Sequence, residues 1–263
     1  MTANNQMDHP EPETKRNPWM WLFQMLIWPK RTFRAIAANG RRSWLIVMGC
    51  LSVVILILTL IGGPSRLQQV QMNQGQLPQD FQYWSEAQQN QYFSGQQAVQ
   101  KPLFIYVLPL IASLGRIWLG WFIFGSILHL MMTFKGSRHP QEYYLNLVGW
   151  ASIPLILRGL VQIINVLITK SVIVDPGLSG FIPDSSGRLV DYARVLLSMV
   201  DFYAIWFLIL IFNGSVPVSG IKSSKAHWAV VWSSLIFIPL ASLPAFLMNQ
   251  LSNIGTIQPF IMF

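Results

Sequence analysis

Five apolar runs alternate with polar stretches along this chain, and their lengths set the first expectation. The stretch WLIVMGCLSVVILILTLIGG, residues 44–63, carries no charge. Further apolar runs occupy 103–134, 145–168, 190–212 and 228–248, the last containing Pro239 and Pro244. A helix needs about 20 residues at about 1.5 Å rise each to cross a bilayer, and every one of these runs meets that length. No stretch alternates with the period of a strand. The pattern predicts an all-α polytopic membrane protein, a bundle of five transmembrane helices with an N-terminal interfacial amphipathic helix. The second run would make a helix of about 48 Å, so it must tilt or begin outside the hydrocarbon.

The polar remainder divides around these spans. Residues 1–16 read as a disordered cytoplasmic tail, and 17–43 as an interfacial amphipathic segment. Within the segment, Trp19 to Trp28 would reach only about 15 Å as a helix, too short to span. A second helix starting at Pro29 puts Phe33, Ile36 and Ala37 on one face and Lys30, Arg31 and Arg34 toward the other. Trp19, Trp21, Trp28, Lys30, Arg31 and Arg34 are therefore expected to anchor it in the interface. The alternative is a cytosolic helix packed on the bundle. Residues 64–102 form a Gln-rich external loop in which Phe81, Tyr83, Trp84, Tyr92 and Phe93 favour a short helix on the outer membrane boundary. Residues 249–263 make an external C-terminal tail.

Composition agrees with a membrane chain. Of 263 residues, 52% are hydrophobic and 11% charged, against about 25% charged in soluble domains. Mean hydropathy is +0.43. The net charge of +8 is consequently not a nucleic-acid footprint, because seven of the eighteen Lys and Arg residues fall between Lys15 and Arg42, ahead of the first span. Such residues orient a span and attract anionic lipid at the cytoplasmic face. Lys135, Arg138, Lys222 and Lys225 lie on the same side, so the positive-inside rule puts the N-terminus in the cytoplasm and the C-terminus outside. The lead before the first span is too long for a cleavable signal, and that span reads as an anchor. Cys50 is the one cysteine, which removes any disulfide framework.

Charges inside the spans are the candidate chemistry. Arg158, Gln162, Asn165 and Thr169 recur on one face of the third span, with Pro154 one turn before them. Asp191, Arg194, Ser198 and Asp201 form a similar stripe in the fourth span, and Arg116 stands in the second. Intramembrane charges face a bundle interior or a watery pocket. Two readings follow. Asp201 pairs with Arg158 or Arg116 while Gln162 and Asn165 bond between helices, or the arginine surplus makes a pocket for an anion or a lipid headgroup.

Other chemistry is not indicated. His9, His129, His139 and His227 lack metal-ligand spacing, and no nucleophile-base arrangement or glycine-rich phosphate loop appears. Neither a cofactor nor an enzymatic activity is expected.

Four stretches resemble a known family. WPKRTFRAI (28–36) resembles the tryptophan-proline-basic opening of the bacterial branch of the Yip family, relatives of the Ypt/Rab-interacting membrane proteins. FKGSRHPQEYYLNLVGWASIP (134–154) is similar to its glycine turn followed by a "GWA-x-x-P" helix. MVDFYAIWFLILIFNG (199–214) resembles its "D-x-x-x-x-W" fourth span, and GIKSSKAHWAVV (220–231) the lysine-alanine lead into its last. Lys135-Gly136 replaces the usual double glycine, and the acidic motif of Rab-binding members is absent, so a GTPase partner is not implied. The resemblance implies five spans, membrane organisation in eukaryotic relatives, and company with ABC-type exporters in some bacterial ones. The expected function is a non-enzymatic scaffold or accessory protein of the bacterial plasma membrane, working with a membrane-protein partner or as a homo-oligomer. The alternative is a small transporter or anionic-lipid-binding protein that uses the arginine cluster.

Overall fold

The computed structural model describes residues 18–39, 43–73, 80–171, 177–182 and 187–252, and among these no strand occurs. The expected tail at 1–16 lies outside them, as do residues 253–263 of the expected tail at 249–263, whose first four residues belong to the last helix. Helices α1 (Pro18–Ile27) and α2 (Pro29–Asn39) each start on a proline, whose missing N–H costs nothing in a first turn. Helix α3 (Trp44–Asn73) continues nearly three turns past the expected end of the first span. A 3-10 turn at Phe81–Tyr83 and helix α4 (Glu86–Val99) follow. Next come α5 (Leu108–Phe134), α6 (Gln141–Ala151) and α7 (Ile153–Thr169). A 3-10 turn at Gly177–Phe181 precedes α8 (Arg188–Ser198), α9 (Phe202–Ser219) and α10 (Ser223–Ser252). Five stretches are long and apolar enough to cross a membrane: Trp44–Met72, Leu103–Phe134, Gln141–Thr169, Phe202–Ser219 and Ser223–Met248.

Two local features explain where these helices bend. Pro109 cannot donate a backbone hydrogen bond, so the carbonyl of Ile105 four residues earlier is released. The chain there winds as a π-helical turn over Leu103–Val107, and Arg66 Nη1 reaches the Ile105 carbonyl at 3.5 Å. Arg66 is thus a structural donor at the end of α3. In the third span, Pro154 is placed at the start of α7 after a one-residue break at Ser152, whose hydroxyl donates back to Val148 O at 2.8 Å.

The fourth span differs from the expected 190–212. The backbone leaves the helix after Ser198 and Asp201 is extended (φ −137°, ψ 179°), so the spanning helix starts at Phe202 and runs to Ser219. The cause is a cap: Asp201 Oδ1 accepts from Ala204 N at 2.8 Å, satisfying a backbone donor that no carbonyl can reach. At the other end, Gly214, Ser215, Val218 and Ser219 are buried, and packing keeps the helix going past Phe212.

The polar loop also contains more order than its composition implies. Ser85 and Gln88 form a reciprocal capping box at the start of α4. Phe81, Trp84, Tyr92 and Phe93 gather with ring centroids 5.5–5.9 Å apart, so these aromatics pack on one another. Tyr83 stays exposed.

The core lies between α2, α5, α6, α9 and α10. The α1–α2 layer is packed on it: Met25 and Phe33 are fully buried, Ile36 nearly so. Phe33 meets α9 at Gly214, where an added Cβ would stand 2.8 Å from its ring and also strike Leu147. Of the expected anchors, Trp19 and Trp28 are exposed, as are Lys30, Arg31 and Arg34, but Trp21 is only 4% exposed. It faces Trp150 rather than a membrane surface, because the bundle offers it an aromatic partner. The outward α1 face still carries Trp19, Met20, Phe23 and Ile27.

Candidate functional site

The intramembrane charges resolve into a clamp. Arg158 Nε lies 2.9 Å from Asp201 Oδ2. The carboxylate therefore serves two groups, with one oxygen on the guanidinium of α7 and the other capping α9. The side chains keep 28% and 15% of their surface, so the pair is sheltered without being sealed. An ion pair with both remaining lone-pair demands met is the arrangement that tolerates low dielectric. Arg116 on α5 is open to the surface and near enough to Arg158 for their like charges to repel.

The rest of the expected cluster does not converge there. Asn165 and Thr169 finish α7: Thr169 Oγ1 donates to Asn165 O at 2.9 Å, and Asn165 Nδ2 reaches Ser171 O at 3.5 Å. Asn165 therefore bonds at the end of its own helix, where the stripe alone suggests a bond between helices. Gln162 is half-buried one turn beyond Arg158. Ser198 donates to Val195 O at 2.7 Å, back along α8. Asp191 and Arg194 share α8, each already engaged in an interaction. The break at Asp201 separates it from their stripe.

The 3-10 turn at Gly177–Phe181 covers that break. Leu178 N donates to Val200 O at 3.1 Å. Gly177 has φ +68°, and an added Cβ would stand 2.7 Å from Val200 O and 3.0 Å from the carbonyls of Leu197 and Ser198. Gly177→Ala is expected to cost about 1–3 kcal/mol, from the left-handed backbone and the contact with fixed carbonyls. Thermal unfolding of the purified protein in detergent measures it.

A second cluster was not foreseen, although its residues lie in the quoted GWA stretch. Asn146 is 5% exposed, and its Oδ1 accepts from Trp44 N at 3.0 Å and Ser43 Oγ at 3.2 Å, capping α3 from α6. Trp150 Nε1 donates to Ser43 Oγ at 2.9 Å. The Trp150 ring stands edge-on to Trp21, centroids 5.7 Å apart. Gly149 lets α3 come close: an added Cβ would lie 2.7 Å from Trp44 Cβ and 3.4 Å from its Cα. Small residues let membrane helices approach in this way. Trp121 Nε1 donates to Leu145 O at 2.8 Å, and its ring leans on Trp44 at 4.2 Å. At the other end of α6, Tyr144 OH donates to Ser137 Oγ, which donates to Ser219 O, tying α6 to α9. The signal that could have revealed this hub is the crowding of Asn146, Gly149 and Trp150 on one turn.

His129 rests against Tyr144 with centroids 5.3 Å apart and is half-buried, as a packed histidine. Among the described residues no three His, Cys, Asp or Glu side chains group as metal ligands would.

Of the comparisons with known proteins, one finds a match. The family model of the Yip1 domain matches residues 23–244, from within α1 to within α10. No curated protein and no solved structure matches the chain. The match takes in α2, Trp150 and the Arg158–Asp201 clamp, and begins two residues after Trp21. With four candidate spans and most of the fifth inside the match, the chain belongs to the Yip1 domain family.

Proposed function

We propose that this protein is a non-enzymatic scaffold of the bacterial plasma membrane that recruits or stabilises a second membrane complex, an ABC-type exporter being one such class, or organises the bilayer around it. The observation carrying this reading is the clamp. Arg158 and Asp201 are bound to each other and to the α9 backbone, so the charges are spent on holding helices together rather than left open to a solute. The partner is a membrane protein or a second copy of the chain. Copurification from native membranes in mild detergent tests it: a membrane protein retained in fixed ratio supports the scaffold, and a retained anionic solute in its place counts against it.

Orientation is part of the proposal. Lys30, Arg31, Arg34, Lys135, Arg138, Lys222 and Lys225 are all exposed at one end of the bundle, which favours that end facing the cytoplasm and its anionic lipids. Single cysteines at positions 2 and 263, in a chain with Cys50 replaced, should react differently with an impermeant reagent in intact cells. Labelling of 263 alone is expected, and equal labelling from one side contradicts five crossings.

A second reading draws on Arg116, which is exposed beside Arg158. An anionic headgroup in the outer leaflet would balance the surplus cation. Lipid co-purification that is unchanged in Arg116→Ala and in Arg158→Ala removes this reading.

A further inference from the structure

A cavity of about 320 Å³ opens between α2 and the α9–α10 corner, lined by Lys30, Arg34, Asn213, Ser223 and His227, with Phe212, Val216 and Pro217 forming its apolar side. Two permanent cations on successive turns of α2 thus face the corner where α10 begins. No carboxylate is among the lining residues. Ser223 is the first residue of α10, and the backbone donor of Ala226 bonds the carbonyl of Lys222, so the N–H groups of 223–225 precede the helix ladder. The 30-residue helix adds its positive end to the cations. Asn213 Nδ2 is fixed by Ile209 O at 2.9 Å, which holds its amide in place at the cavity wall.

A second hollow, about 450 Å³, shares Ser223 and His227 and continues along α10 past Trp228 and Val231. His227 stands at the junction, its ring edge-on to Phe212 at 5.5 Å. The two hollows therefore join a cationic end to a shallow, open stretch of α10 surface that carries Trp228 and Val231 beside Ser223 and Ser224. This is the profile of an amphiphile with a phosphate head.

We propose that the cavity binds a phosphate group through Lys30, Arg34, His227 and the start of α10, and that the adjoining α10 surface takes the apolar part of a phospholipid. Guanidinium and ammonium groups suit phosphate oxygens through charge-assisted bonds, and Arg34 can present two donors at once. The inference deepens the anionic-lipid part of the function above and rests on it only for the leaflet that supplies the ligand. A free phosphorylated solute has the same recognising chemistry but leaves that surface uncovered.

Full-length protein in detergent is to be compared by native mass spectrometry with phosphatidylglycerol and phosphatidylcholine, and by titration calorimetry with inorganic phosphate. Lys30→Gln with Arg34→Gln removes two exposed cations from the cavity. Arg31→Gln with Lys135→Gln removes the same charge from exposed positions outside it. The first pair is expected to weaken phosphatidylglycerol binding by about tenfold or more, and the control pair by less than about threefold. Inorganic phosphate binding with the same dependence, and no phosphatidylglycerol binding, keeps the phosphate site and assigns it to a free solute. Equal weakening by both pairs overturns the cavity and leaves only a diffuse basic face. Absence of binding by either probe to the unsubstituted protein overturns it also, while the scaffold reading still stands on its protein partner.

Discussion

Asp201→Ala is expected to be among the most damaging single substitutions in the membrane-spanning region, because it removes two interactions at once. Arg158 loses its partner, and breaking a sheltered ion pair in this way costs about 3 kcal/mol, the low end of the range since the pair keeps some surface. Helix α9 loses its cap, for about 1 kcal/mol more. Asp201→Asn separates the two terms: asparagine still caps, so only the charge is lost and the damage is intermediate. Arg158→Gln with Asp201→Asn removes both charges and should recover most of the stability, since neither ion is then left alone. A charge swap, Arg158→Asp with Asp201→Arg, recovers less, because arginine has no oxygen with which to cap α9. Unfolding midpoints of the purified variants in one detergent give this order directly. Equal damage from Asp201→Asn and Asp201→Ala would mean that the cap contributes nothing.

Trp150→Ala is the second large effect. The side chain is fully buried, and deletion of a buried tryptophan costs about 3–5 kcal/mol. It also leaves Ser43 without its donor and Trp21 without the ring it stands against. Because Trp21 belongs to α1, the loss should spread to the N-terminal layer. Limited proteolysis is expected to cut within residues 18–39 sooner in Trp150→Ala than in the unsubstituted protein. Trp150→Phe keeps most of the volume and loses the hydrogen bond, at about 1 kcal/mol, and should protect α1 nearly as before. Rapid cleavage in Trp150→Phe as well would assign the effect to the hydrogen bond instead of to packing.

The sequence made the five spans visible because their apolar length has no other use in so short a chain. It also offered Asp201 as the partner of Arg158 or Arg116, since a lone charge inside a span has no cheap alternative, and the pair forms with Arg158. What it concealed was the break beside that pair. Hydropathy runs on smoothly from Leu196 through Val200 into Phe202, so Asp201 reads as a residue inside a helix. Its role as a cap appears only when Oδ1 is seen on Ala204 N. The side taken by Trp21 was hidden for a different reason. Its partner Trp150 is on α6, and no local periodicity reports a contact between such distant parts of the chain. Arg66 is the same case, since the carbonyl it serves is freed by Pro109 two helices later. In the Gln-rich loop the aromatics pointed to a short helix, and the capping box at Ser85 and Gln88, legible by spacing, sets where α4 begins.

The polar stripe on α7 shows how a correct pattern can point to a different use. Arg158, Gln162, Asn165 and Thr169 do share a face, but only Arg158 meets the neighbouring helix through a charge. Asn165 and Thr169 lie near the helix end, where unbonded carbonyls and the turn at Ser171 compete for their side chains.

The central claim is that the intramembrane charges hold the bundle and do not carry its function. Copurification of partners from native membranes, with the unsubstituted protein and with Arg158→Gln/Asp201→Asn side by side, tests it most directly. The account predicts the same membrane protein in the same ratio from both. A small anionic ligand retained by the unsubstituted protein, and lost from the double variant while its fold persists, would contradict it.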